Sequence, residues 1–573
     1  MIERRRREAL FAAAAAVASV VILFGPLSGG IPKAYDLPDH LGSTEQVLRG
    51  FREGALYPRW LADFHDGWGE PTLLFYPPGL YFVAAGLAAI FGGDALTGLF
   101  AALVAFAAIG AVGIFRFTRR RAGVWAGLLA SLLFAGVPYR FFEIYAAGLY
   151  SAFAAGCLIP WALDALLPRE GRSSGPSRAW PLLFALIVLT NLPTGVLFAY
   201  LVGLWLIVRI ALERRVGDAA RVAGGLLWGC LLAGVYLLPA VAEMRSVAVP
   251  FSDGAPLYRS NFLFQPSGSW MSEGLKSTFD RMGLFAAAGL LLALAILAAA
   301  ARRAGDRASS GEERSWRILV SSFGLLSLFL LSPLSAPVWR FFPFLRRVNI
   351  PWRFLEPLGA AAACAVAAAV AALLADRRLS RGLAAAAAVF FLALVLLCAA
   401  FDASVSRVNG RMTAAEGRSA VDRFSHKEMF FLPKGARRSS EIPPVPRLAC
   451  DRPCRTEVVS WRAERRVFRV FAPTGAGMRV RTYAFRGWRA TAEGRSLRLE
   501  TEAATGAIVI DVPPGEHRIE LDFGTTPLRA AGALCSGLAL LAWLLAGRYR
   551  RVSTAEDAAP AALSTGAERE PGA

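Results

Sequence analysis

IPKAYDLPDHLGSTEQVLRGFREGALYPRWLADFHDGWGEPTLLFYPPGLY, residues 31–81, continuing as FVAAGLAAIFG to residue 92, is the stretch on which the topology turns. It follows the apolar run 9–29 directly. Residues 31–76 hold seven acids against four Lys/Arg, and the acids Asp36, Asp39, Asp66 and Glu70 stand close to His40 and His65. Two tryptophans, four tyrosines and six prolines lie within 31–81. Polar and aromatic chemistry this dense, set behind a hydrophobic anchor, marks a loop that binds or reacts.

The chain has 573 residues, 55% of them hydrophobic. Apolar runs of 17 residues or more recur along it, which predicts a polytopic α-helical membrane protein. A formal charge of +20 in a soluble protein would point to nucleic acid. Here the basic residues sit in short loops between apolar runs, where they set topology, so no nucleic-acid partner is expected. Cys157, Cys230, Cys364, Cys398 and Cys535 fall in apolar runs and read as small core residues.

Arginines 4–7 place the N-terminus inside, with the first run retained as an anchor. Residues 31–76 are then outside. Counting 77–92 as a full span would put FRFTRRRAG (115–123) outside, against the positive-inside rule. That run is short and opens with two prolines, so it reads as a re-entrant or interfacial helix. Spans near 95–115, 122–138, 148–167, 180–192, 195–211, 219–241, 281–301, 316–332, 354–375, 381–400 and 528–546 then alternate. With the first, they make about 12, both termini cytoplasmic; 180–211 reads equally as one helix kinked at Asn191-Leu-Pro193. Residues 1–400 form the membrane module, 401–526 an extracytoplasmic domain, and 527–573 the last span and a cytoplasmic tail. The bacterial inner membrane is the expected location.

Within 401–526, the part to 455 reads as loop-rich. From 456, short alternating segments such as RRVFRVFA, AIVIDV and HRIELDF are separated by turns at Glu493-Gly494, Thr505-Gly506 and Pro513-Pro514-Gly515. That spacing predicts a small β-sandwich. Cys450 and Cys454, in CDRPC, suit a tight disulfide better than a zinc pair, since no second Cys/His pair follows.

The segments YDLPDH (35–40), GALYPRW (54–60) and GWGEPTLLFYPPGLY (67–81) together resemble the first outer loop of GT-C-type integral-membrane glycosyltransferases. Further matches are VYLLPAVAE (235–243), the VWRFFP…NIPWRFLEP block (338–357), FRGWRATAEG (485–494) and VPPGEHRIEL (512–521). The whole set is similar to bacterial polytopic proteins labelled "6-pyruvoyl-tetrahydropterin-synthase-related", a label at odds with a chain that has no soluble pterin-enzyme fold. The resemblance runs nearly end to end. It implies transfer of a sugar from a polyprenyl-phosphate donor to a glycan, lipid or protein acceptor at the outer membrane face. It also implies an acid after the first span as base or metal ligand, here Asp36 or Asp39, and a second, Glu143, in VPYRFFEIYAAG. The chain departs from the family pattern in having no Asp-x-Asp here. A divalent metal held by Asp36 and Glu143 is the corresponding cofactor expectation.

An inverting transfer needs a carboxylate to take the acceptor hydroxyl's proton. Asp36 is placed for this at the membrane surface; Asp39 suits the N-cap of a helix 39–50. His40, four residues after Asp36, either takes part or orients a carboxylate. Glu143 is either a second carboxylate or a salt-bridge partner of Arg140. Arg353, with Arg347, offers the planar fork a phosphate needs, while Arg346 and Arg347 also suit lipid headgroups. Trp60, Tyr76 and Trp352 are candidate sugar surfaces as well as interfacial aromatics. Glu243 is a candidate carboxylate of the same cavity, and His65 and Asp66 shape the turn before Gly67. The competing readings are a lipid or glycan transporter or flippase, and a non-catalytic assembly subunit on the same scaffold.

Overall fold

The structure is a computed structural model that describes residues 2–167, 175–214, 216–248, 257–266, 273–304, 311–348, 350–375, 410–425 and 431–556, with the single positions 382 and 389. The chain is a helical, multi-pass membrane protein carrying a separate β-domain. Seven helices among the described residues are long and apolar enough to cross a membrane, and two bent pairs raise that to nine. Further expected spans correspond to shorter apolar helices, and the one at 381–400 lies outside the described residues, as does His426.

The helices used below are α1 (Ile2–Phe24), α2 (Leu37–Arg52), α3 (Gly79–Ile90), α4 (Ala95–Ala122), α5 (Val124–Ala135), α6 (Tyr150–Leu166), α7 (Ala179–Thr190), α8 (Leu192–Glu213), α9 (Val216–Leu232), α10 (Gly234–Glu243), α11 (Glu273–Ala304), α12 (Gly311–Leu331), α13 (Leu355–Ala375), α14 (Ala414–Ser425) and α15 (Pro527–Glu556). The 180–211 stretch is two helices. Asn191 is extended (φ −152°, ψ 109°) and caps α8, its Oδ1 accepting from the Thr194 N–H at 2.9 Å. A free backbone donor is thereby satisfied where Pro193 enters the new helix.

The run 77–92 forms only the 12-residue α3. At 1.5 Å per residue it rises about 18 Å, well short of a hydrocarbon core of about 30 Å. It packs between α2 and α4, burying Leu80, Tyr81, Ala84, Ala85 and Ala88. The segment 31–76 is helical over α2, which begins at Leu37, with Asp36 at the N-cap position and Asp39 inside the first turn. This corrects the expectation that Asp39 would be the cap. Pro38 explains the earlier start, because its fixed φ and missing N–H suit the first helical positions.

The sandwich has nine strands: β1 (Leu448–Cys450), β2 (Arg455–Trp461), β3 (Arg465–Ala472), β4 (Ala476–Tyr483), β5 (Trp488–Ala492), β6 (Arg495–Leu497), β7 (Leu499–Thr501), β8 (Ala507–Val512) and β9 (Gly515–Phe523). Two antiparallel sheets, ordered β6-β5-β9-β3-β2 and β7-β8-β4-β1, face each other. SLRLE (496–500) divides at Arg498: β6 pairs with β5 in one sheet and β7 with β8 in the other. The sandwich starts at Leu448 rather than 456, and the preceding segment contributes α14. Cys450 and Cys454 are disulfide-bonded.

This domain docks onto the 31–76 segment. Glu464 Oε1 accepts from the backbone N–H of Arg59 (2.6 Å) and Trp60 (3.1 Å), and Glu53 Oε2 from that of Ala463 (2.8 Å). Trp60 enters the domain's apolar core, edge-on to Trp488 at 5.3 Å. His65 and Asp66 both adopt left-handed conformations (φ 52° and 53°), which turns the chain so that Trp68 stacks on Tyr483 at 5.1 Å.

Candidate active site

Asp36 is fixed by main chain. The Tyr35 and Asp36 N–H groups donate to the Ala146 and Ala147 carbonyls at 3.0 and 2.9 Å, joining the start of α2 to a single π-helical turn, Phe142–Ala147, that carries Glu143. Gly148 permits this approach. It lies at φ +73°, and a Cβ there would stand 3.0–3.2 Å from Leu37 N, Asp36 N and Ala34 Cβ. His40 secures the same junction, its Nδ1 bonded to the Tyr81 hydroxyl at 3.0 Å and its ring meeting the Gly148 backbone. Burial lowers the His40 pKa to about 4, against the raising effect of that backbone bond. His40 is therefore neutral at pH 7, and its position is that of a brace for Asp36 and Glu143.

A cavity of about 20 Å³ opens beside this junction, lined by Tyr139, Glu143, Thr194, Arg353 and Glu356 among others; that holds about one water. Four of its polar atoms are buried with no hydrogen-bond partner among the described residues: the Tyr139 hydroxyl, Glu143 Oε2, Arg353 Nε and Glu356 Oε2. Buried polar groups are nearly always satisfied, so four orphans around one cavity mark a place prepared for something polar. Arg140 does not pair with Glu143. It forms a buried ion pair with Glu356, its guanidinium set between the Phe134 and Phe153 rings at 4.1 and 4.5 Å.

Tyr76 connects the two parts. Its hydroxyl bonds Ser151 Oγ at 2.7 Å, and Asn191 Nδ2 donates to the same oxygen at 2.9 Å. Burial raises the Tyr76 pKa; the Ser151 bond and Arg353 oppose the rise, and Asp36 adds to it. Asp36 and Arg353 therefore both lie within electrostatic reach of one phenol. Tyr139 also lines an apolar crevice of about 70 Å³ between α5, α11 and α13, with Leu133, Phe285, Gly359 and Val366.

The remaining candidates lie elsewhere. Trp352 is buried with a face stacked on Phe279 (4.7 Å, 16°), so that face is closed to a sugar; the ring walls Tyr139 and Phe142 instead. Trp60 belongs to the docking seam. Glu243 is held by Arg529 at 2.7 Å and by Thr526 at 3.2 Å, tying α10 to the start of α15. Asp39 is buried in the first turn of α2. Arg347 has its backbone in a short helix, Pro343–Val348, and its side chain is outside the described part. Among the described residues no three His, Cys, Asp or Glu side chains gather to hold a metal. No step is routed through a metal.

Three contributors were missed by sequence reasoning: Tyr139, Glu356 and Ser151. Tyr139 and Glu356 were visible in the quoted VPYRFFE and WRFLEP blocks. A carboxylate at the head of an apolar helix is itself a functional signal. Ser151 carries none, because a serine between tyrosine and alanine is ordinary helix.

No protein-family model and no curated protein matches the chain. Among solved structures it is similar to the oligosaccharyltransferase of Archaeoglobus fulgidus, at 15% identity and a TM-score of 0.42 over 75% of this chain and 57% of that one. It is also similar to the mycobacterial arabinofuranosyltransferase AftD (15%, TM-score 0.39, 70% of this chain and 26% of that one). A third similarity is to ArnT from Cupriavidus metallidurans bound to undecaprenyl phosphate (13%, TM-score 0.37, 73% and 77%). The chain thus spans little more than half the length of the archaeal enzyme.

Proposed function

We propose that this protein is a membrane glycosyltransferase that moves a sugar from a polyprenyl-phosphate donor to an acceptor at the extracytoplasmic face. The observation that carries this reading is the set of four orphaned polar atoms, Arg353 Nε among them, in a cavity whose Tyr139 wall is shared with an apolar crevice. A lipid chain in the crevice would bring its phosphate to Arg353, a fixed cationic fork in a low-dielectric setting. The acceptor hydroxyl attacks the anomeric carbon, the carbon–oxygen bond to phosphate breaks, and the hydroxyl proton passes to the Asp36 carboxylate. Arg353 stabilises the departing phosphate, and Tyr76 lies within electrostatic reach of both charges. Glu143 and Glu356 complete the polar wall toward the sugar.

The test is Asp36→Asn in purified, folded protein supplied with polyprenyl-phosphate sugars and membrane-derived acceptors. Transfer should fall by about 10²- to 10⁴-fold, the usual contribution of a general base. Undiminished transfer would remove Asp36 from the mechanism. A lipid transporter reading draws on the buried Arg140–Glu356 pair inside the helical module. It predicts lipid movement across vesicles with no change in the lipid's sugar, which the same preparations distinguish.

A further inference from the structure

A second set of orphaned groups lies in the β-domain, in the seam against the 31–76 segment. Arg466, in β3, is fully buried, and its Nε, Nη1 and Nη2 all lack a hydrogen-bond partner among the described residues. Its guanidinium lies over the Trp461 ring at 4.4 Å and the Trp488 ring at 5.0 Å. Arg447 lies over the same Trp461 at 5.2 Å. Arg481, half-buried against the Gly67 turn, has a buried Nε with no acceptor, and so does the Trp488 indole N–H. Burial, together with Arg49, Arg481 and Arg447, lowers the Arg466 pKa to about 9 despite Asp63.

The nearby acids do not neutralise this cluster. Asp63 already accepts from Gln46 Nε2 at 2.6 Å and from Arg49 Nη1 at 2.6 and 2.7 Å. Asp66 is exposed and lies toward Arg481. A buried cation without a counter-charge is costly, and two aromatic faces offset only part of that. The unsatisfied atoms of these three residues are donors, three from Arg466, one from Arg481 and one from Trp488. Water offers both donors and acceptors; a site made only of donors suits an oxyanion. Arg447 is exposed and shares the Trp461 ring with buried Arg466, while Trp461 and Arg481 are partly exposed.

We infer that Arg466, Arg481 and Arg447, walled by Trp461 and Trp488, form an oxyanion-binding site in the extracytoplasmic domain, for a carboxylate or phosphate group carried by a ligand at the outer face. It is separate from the Tyr139–Arg353 cavity and does not depend on glycosyl transfer.

The experiment is anion titration of the full-length protein in nanodiscs at constant ionic strength, with inorganic phosphate and with glucuronate as probes and chloride as the reference. Thermal midpoint and tryptophan fluorescence are the readouts. At least one probe should raise the midpoint saturably, and phosphate-only or glucuronate-only binding identifies the group recognised. Arg466→Met should weaken that binding by about tenfold or more, as loss of charge-assisted hydrogen bonds does. Arg447→Ala and Arg481→Met should each weaken it too, and they carry the test if Arg466→Met does not fold. Absence of a saturable shift with both probes overturns the inference. So does a shift that all folded variants retain.

Discussion

His40 gives the most direct quantitative check on how the junction at the candidate site is held. It is 3% exposed, and burial lowers its pKa from 6.5 to about 4. Between those values the unfolded chain binds a proton that the folded chain refuses. This contribution is complete above pH 6.5 and is lost as pH falls through about 4. At about 1.4 kcal/mol per pH unit it amounts to about 3 kcal/mol, with little solvent screening for so buried a ring. Chemical denaturation in mixed micelles, followed from pH 7.5 to 4, measures it by comparing the parent with His40→Gln, which cannot titrate. The parent should lose about 3 kcal/mol more than the variant over that range. Because His40 braces Gly148 against α2 and stays neutral in the folded chain until about pH 4, transfer activity of the folded protein should decline only as pH approaches 4. Identical pH dependence in parent and variant would refute the burial argument.

Arg353→Ala should lower transfer efficiency by about 10- to 150-fold through the loss of charge-assisted bonds to phosphate, with the defect seen in steady-state kinetics against donor concentration. Arg529→Ala strands the Glu243 carboxylate and should cost about 3–5 kcal/mol by denaturation, whereas Glu243→Leu with Arg529→Leu should restore most of it. Gly69 lies at φ +77°, and a Cβ there would fall 2.2 Å from Trp60 Nε1. Gly69→Ala should therefore displace Trp60, cost about 1–3 kcal/mol, and increase limited proteolysis of the β-domain.

Periodicity and charge located the helical module, the short α3 and the sandwich, because each leaves a local trace. An apolar run has a length, an alternating strand has a period, and arginine between runs has a side. Asp36, Glu143 and Arg353 drew attention because charge at a membrane boundary is costly enough to stand out. What stayed hidden was pairing. Arg140 and Glu143 are three residues apart, yet Arg140 pairs with Glu356, 216 positions away, since the π-helical turn swings Glu143 toward the cavity. Trp60 and Glu243 carried the same surface signals as Asp36 and Arg353. Their partners, Trp488 and Arg529, lie in a domain whose docking no local pattern reveals. The division of SLRLE between two sheets was hidden for the same reason.

One end of α2 carries Asp36; the other ends in Arg49 and Glu53, bound to Asp63 and to the β-domain backbone at Ala463. Sixteen residues make a rod of about 24 Å. A tilt of about 2–3° applied at its far end therefore displaces Asp36 by about 1 Å, a distance that suffices to change rates about a hundredfold. The helix is thus one rigid piece with the β-domain seam at one end and the Asp36 backbone at the other.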